Sequence, residues 1–260
     1  MKNKKKSTKV LYLLMILSAV VFVVSSIMLL VGITKAQKEQ AVFDEMIQDV
    51  KKLEQNENTI DSNQLIAQHY SKLKLQNNDF AGWIKIEGTQ LDYPVMHTPT
   101  NAEYYLRRSF DKSYSISGTP FMDANCSFDS NAVMIYGHYM KNGTMFATLH
   151  NYKDKAFFDE HSTILLDTIT ERRTYKIVSA FYTEVKAVDD NESFKYYKYI
   201  GDLSVEDFEY YIKNVKDCSL YDTGVNIEND DKLLTLSTCS YHHEYGRFVV
   251  VAKLVNVEKF

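Results

Sequence analysis

Residues Val10 to Ile33 form an unbroken run of 24 uncharged, mostly apolar side chains, and no other stretch limits so strongly what the chain can fold into. At about 1.5 Å of rise per residue, such a run makes a helix long enough to cross a hydrocarbon layer roughly 30 Å thick. Lys2, Lys4, Lys5, Lys6 and Lys9 precede it. The preference of basic residues for the cytoplasmic side puts the N-terminus inside and the remaining chain outside. A cleaved signal peptide has a shorter apolar region and a small-residue cleavage site, and neither is evident. The expectation is an uncleaved, single-pass anchor over residues 10–33 behind a basic tail over residues 1–9.

Five of the 30 basic residues and none of the 34 acidic ones precede residue 34, so the outer part is more acidic than the net charge of −4 on the whole chain. That balance argues against a surface for nucleic acid. Three cysteines, Cys126, Cys218 and Cys239, are too few and too scattered for a disulfide framework in an exported chain. Cys126 and Cys218 read as small buried apolar residues. Past the apolar run, Val42, Phe43, Met46, Ile47, Val50 and Leu53 recur at helical spacing, and a second helix is expected over about residues 62–75. Residues 34–76 are therefore read as juxtamembrane helices, a stalk that packs on the following domain and sets its distance from the bilayer.

From Asn77 onward the periodicity becomes that of strands. Trp83, Ile84 and Ile86 lead into a turn at Glu87-Gly88-Thr89, and Leu91 to Met96 follows, with Pro94 placing it at an edge or bulge. Ala132 to Tyr136 is continuously apolar and reads as a buried strand. Thr144 to Tyr152 reads as a helix, and Thr163 to Leu166 and Tyr175 to Tyr182 as strands with Glu171-Arg172-Arg173 in their connection. Ser204 with Asp207 marks a helix start, and Val205, Phe208, Ile212 and Val215 supply its apolar stripe. Leu233 to Leu236 and Phe248 to Val255 complete about eight short strands without βαβ alternation. This is a mainly β chain, a barrel of mixed connectivity with helical decoration, over residues 77–260.

The chemistry-bearing residues gather near the last two strands. Cys239 sits where one ends and Arg247 where the next begins, so pairing those strands sets a thiol opposite a guanidinium. His138 follows a buried strand and a glycine, a rigid mount for a catalytic base. His69, His97, His150 and His161 have no companion motif and read as structural or solvated. Cys239, His242, His243 and Glu244 carry metal-ligand chemistry in one loop, but Arg247 stands where a zinc-protease helix has its second histidine, and no metal is expected. No glycine-rich phosphate loop points to a nucleotide. The tyrosine-rich stretch from Phe194 to Ile200 is either a substrate-lining loop or packed and surface tyrosines.

The motif Thr235-Leu236-Ser237-Thr238-Cys239, the downstream Arg247 and the upstream Tyr136-Gly137-His138 resemble a sortase. Asp79 to Ile84, Asp92-Tyr93-Pro94-Val95, Ser117-Gly118-Thr119 with Phe121-Met122-Asp123, and Gly143-Thr144-Met145-Phe146 resemble class B segments in the same order. The resemblance covers about residues 77–260. It implies an eight-stranded sortase barrel, a single-pass anchor in a Gram-positive membrane and transpeptidation of surface proteins without a cofactor. Cys239 is then the nucleophile, His138 the general acid/base and Arg247 the oxyanion or positioning group. Tyr136, Ser237 and Thr238, within the matching motifs, become substrate-binding residues, and the helix over residues 204–217 borders the substrate groove. The implied partners are surface proteins with a C-terminal sorting signal such as NPxTx or SPxTG, and an amine of a peptidoglycan precursor or cross-bridge, or a pilin lysine. Two other readings of the same residues are a cell-wall cysteine peptidase and a non-catalytic binding module.

Overall fold

A computed structural model describes residues 2–54, 62–185, 190, 193–239 and 245–260. The chain divides into two compact units, one ending at Glu45 and the other running Met46–Phe260. Helix α1 (Lys2–Glu54) contains a segment with a mean hydropathy of 2.8, long and apolar enough to cross a membrane. Its side chains from Val10 to Ile33 are apolar on every face, the pattern of a helix solvated by lipid.

In the second unit, helix α2 (Ser62–Gln76) seats Tyr70 against Trp83 with ring centroids 6.2 Å apart and donates the Tyr70 hydroxyl to Asp167 at 3.0 Å. The strands are β1 (Phe80–Lys85), β2 (Asp92–His97), β3 (Phe121–Met122), β4 (Ala132–Tyr136), β5 (Thr163–Asp167), β6 (Glu171–Glu184), β7 (Leu233–Cys239) and β8 (Gly246–Lys259). These eight, the strands among the described residues, close into a barrel in the order β1-β2-β3-β4-β7-β8-β6-β5, as the sequence led one to expect. Closure leaves no unpaired edge. Two neighbours, β2/β3 and β4/β7, run parallel and the rest antiparallel.

The alternation of side chains along a strand explains the mixed composition of β7. Leu234 and Leu236 point to one face and are fully buried. Thr235 and Ser237 point to the other, where helix α4 (Val205–Asp217) and the 3-10 segment Tyr196–Lys198 cover them. There Tyr211 bonds Thr235 at 2.6 Å and Tyr196 bonds Ser237 at 2.7 Å, hydroxyl to hydroxyl. Buried polar groups are tolerated because each has a partner.

Several local expectations are corrected. Glu171 to Arg173 belong to β6 and not to its connection. Arg172 lies directly opposite Asp167 in the β5/β6 register and grips both carboxylate oxygens at 2.8 Å, a cross-strand charge pair that carries the ladder to the turn. The helix expected over residues 144–152 is a 3-10 segment, Phe146–Lys153, whose first amide bonds outward to the His138 carbonyl at 2.9 Å instead of into its own ladder. Val205 is exposed, and the buried stripe of α4 is Phe208, Tyr211, Ile212 and Val215. Cys218 is exposed at the end of α4, so only Cys126 is the buried apolar cysteine. Pro94 lies where β2 has a ladder partner only on its β1 side, which spares the sheet a missing donor.

Candidate active site

Parallel pairing of β4 with β7 brings the C-terminal ends of both strands to one end of the barrel, and the antiparallel β8 starts there. Tyr136 lies opposite Ser237, so continuing that register by two residues sets His138 beside Cys239. The last pair of the β7/β8 ladder is Cys239 opposite Arg247. Three residues from distant stretches thus meet on the wall of one cavity of about 340 Å³, which Tyr136, Asp123, Tyr196, Ser237 and Thr238 also line.

The mount of His138 is rigid for identifiable reasons. A side chain at Gly137 would meet the Phe146 ring at 2.5 Å, so only glycine lets the chain pass there. The Gly137 amide donates to the Ser237 carbonyl at 3.1 Å, and the His138 carbonyl accepts from Phe146. On the ring, Nε2 lies 2.8 Å from the Leu106 carbonyl. A carbonyl only accepts, so Nε2 carries the hydrogen and Nδ1 is the nitrogen left to exchange a proton.

Arg247 is held through Nη1, which donates to the Gly246 carbonyl at 2.9 Å. Tyr245, just before, has φ +65°, a left-handed conformation that costs a side-chain-bearing residue energy and fixes the entry of the chain into β8. The Tyr136 hydroxyl donates to Asp123 at 3.1 Å, and burial first, then that carboxylate, pushes its ionisation up. Burial likewise pushes Tyr196 up to about 12, so these two hydroxyls stay neutral. Thr238 points to the leucine face of β7, and its hydroxyl is buried with no partner among the described residues.

Burial lowers the ionisation of His138 below the ordinary histidine value, and the Arg107 and Arg247 cations lower it further, against a raising contribution from the Leu106 carbonyl. Its ring is therefore neutral at pH 7. Arg107→Gln removes one of those cations, so the His138 ionisation should rise, most visibly at low salt because the guanidinium is exposed. An NMR titration of the ring measures this. An unchanged or lowered midpoint would remove Arg107 from the causes.

Some expected residues lie elsewhere. No residue of α4 lines the cavity, because its apolar stripe is used against the barrel wall. The neighbouring Tyr196 and Tyr197 take that place, from the stretch whose tyrosines the sequence left open. Cys126 donates to the Ala132 carbonyl at 3.5 Å, and burial pushes its thiol up. His242, His243 and Glu244 lie outside the described residues, among which no group of three His, Cys, Asp or Glu side chains could hold a metal ion.

Two contacts at the site had no signal in the sequence. The Leu106 carbonyl that holds His138 is a main-chain atom and leaves no side-chain trace. His150 places Nε2 2.9 Å from the Cys239 carbonyl. Its position in an aromatic-rich helical segment reads only as packing.

Comparison with known proteins bears on this geometry. The model of the sortase domain matches residues 84–255. Sortase B of Listeria monocytogenes is 34% identical over 188 residues, 70% of this chain and 72% of the relative. Sortase B of Staphylococcus aureus is 30% identical over 196 residues, 74% of this chain and 77% of the relative. The solved structure of a Staphylococcus aureus sortase B–substrate complex superposes with a TM-score of 0.70 at 27% identity, covering 86% of this chain and 99% of that one.

Proposed function

Because this chain belongs to the sortase family and is a class B sortase, a cysteine transpeptidase, we propose that Cys239 is its nucleophile, His138 its general acid/base and Arg247 the donor to developing negative charge. The observation that carries the assignment is the convergence of these three side chains on one cavity through the parallel β4/β7 and antiparallel β7/β8 registers. A sortase B of Staphylococcus aureus has been solved with a substrate. The substrate here is a surface protein whose C-terminal sorting signal, NPxTx or SPxTG-like, is cut after threonine.

The resting protonation states set the order of events. His138 is neutral at pH 7, so it takes the Cys239 proton as sulfur attacks the threonine carbonyl. The imidazolium then gives that proton to the departing amine as the carbon–nitrogen bond breaks, leaving a thioacyl enzyme. An incoming cell-wall amine attacks, His138 accepts its proton, and the thioester bond breaks to return the thiol. Arg247 donates charge-assisted hydrogen bonds toward the oxyanion in both halves. Tyr136 and Ser237 line the groove that receives the signal.

Residues 1–9 are the cytoplasmic tail, 10–33 the anchor, 34–76 the juxtamembrane helices and 77–260 the catalytic barrel, which faces the cell wall. The apolar segment of α1 supports this order, and the lysines before it support the orientation.

Lysine at position 247 keeps the charge but loses the planar fork, so Arg247→Lys should cut turnover by about 10²–10³ with substrate binding little changed. Steady-state kinetics checks this, and near-parental turnover would remove Arg247 from the mechanism. The function itself is tested with residues 36–260 by offering NPxTx, SPxTG and LPxTG peptides with an amine acceptor and following products by mass spectrometry. Joined product names the motif. Cleavage that never joins the acceptor would make the protein a peptidase.

A further inference from the structure

We infer that His150 is a positioning residue that holds the nucleophile's main chain, an inference that rests on Cys239 being the nucleophile. Cys239 is the last ladder residue of β7. Its carbonyl is bound by His150 Nε2 at 2.9 Å, a side chain 89 residues away in sequence. Since a carbonyl only accepts, Nε2 is the protonated nitrogen and the imidazole is a donor fixed in one orientation.

The surroundings of the ring tie this bond to the other two site residues. Tyr139, the neighbour of His138, meets the His150 ring edge-on at 4.5 Å. Phe248, the neighbour of Arg247, stacks on it at 5.0 Å, and Tyr182 closes the cage at 6.1 Å. His150 belongs to the 3-10 segment Phe146–Lys153, whose first amide, that of Phe146, donates to the His138 carbonyl at 2.9 Å. One short segment therefore grips the main chain of the base at its start and that of the nucleophile four residues later. A displacement of about 1 Å between such groups costs about 10²-fold in rate. The device acts through the Cys239 main chain.

The experiment compares parent, His150→Phe, His150→Gln and Cys239→Ala in the transfer assay, with thermal unfolding beside it. Phenylalanine keeps a ring in the aromatic cage and removes the donor; glutamine returns an N–H donor of similar reach. The expected result is a fall in kcat of about tenfold for His150→Phe with KM unchanged, and recovery to within about threefold of the parent for His150→Gln. The alkylation rate of the Cys239 thiol by iodoacetamide is read in parallel, and should change in His150→Phe and return in His150→Gln. Parental kcat and parental alkylation in His150→Phe would overturn the inference, as would a loss that His150→Gln fails to restore. A parent that transfers no peptide would overturn the proposed function instead, and the alkylation rates would still decide the role of His150.

Discussion

Cys239→Ala is expected to reduce transfer to background, a loss on the order of 10⁴-fold or more, while leaving the barrel folded. The mechanism has no detour around the thioacyl enzyme, since it gives His138 only the proton and Arg247 only the developing negative charge to handle. The fold survives because Cys239 is only half-buried at the end of β7, beyond the leucines that fill the core. Its truncation should therefore shift stability by no more than about 1 kcal/mol. Thermal unfolding and product formation in one preparation separate the two effects. Alanine at Cys126 or Cys218 is the matching control: the first thiol is buried with its hydrogen on the Ala132 carbonyl, and the second is exposed on a helix that lines no part of the cavity. Residual turnover of Cys239→Ala above about a hundredth of the parent's would contradict the assignment.

His138→Ala should lower transfer by about 10²–10⁴, the usual contribution of a positioned proton carrier. The variant should fold, because the hydrogen bonds that fix this stretch run through the main chain: Gly137 to Ser237, and Phe146 to the His138 carbonyl. Both halves of the reaction should slow. Acylation lacks an acceptor for the thiol proton and a donor for the leaving amine, and resolution lacks a base for the incoming amine. Single-turnover measurements with and without acceptor resolve the halves. A variant that acylates at the parent rate and is slow only in resolution would restrict His138 to the second half. Parental rates in both would remove it.

How far the sequence reveals this molecule depends on which interactions are local. Strands β4 and β7 and the first half of β8 are readable because both their faces are covered, and the resulting apolar runs need no knowledge of the partner; the exposed end of β8 runs on past Val255 to Lys259. Helix α4 is readable from its cap: Ser204 accepts from the Asp207 amide as the spacing of the two residues suggests. The limits of β6 are not readable. Glu171, Arg172 and Arg173 look like a solvated connection until Asp167 is known to stand opposite Arg172. Nor does the pattern alone reveal which strands close the barrel: β1 pairs with β5 across some eighty residues of chain.

The candidate site divides in the same way. Cys239, His138 and Arg247 announce themselves by residue type, by their place at strand ends and by the motifs around them. The groove tyrosines are visible only as a composition bias, because a tyrosine stacked in a wall and one facing a ligand look alike in sequence. His150 reads as structural or solvated because its partner is a main-chain oxygen, which carries no residue identity. The expectation that α4 borders the groove came from resemblance alone, and the packing of Tyr211 on β7 shows where that helix is used instead.

The measurement closest to the central claim is the mass of the enzyme caught in the act. The parent barrel, mixed with a cleavable sorting-signal peptide and no amine acceptor, is quenched in acid, weighed intact and mapped by proteolysis. The account predicts a mass increase equal to the peptide up to its threonine, located on Cys239, discharged when an amine is added and missing from Cys239→Ala. Cleaved peptide with no adduct on Cys239, or an adduct that persists in Cys239→Ala, would contradict it.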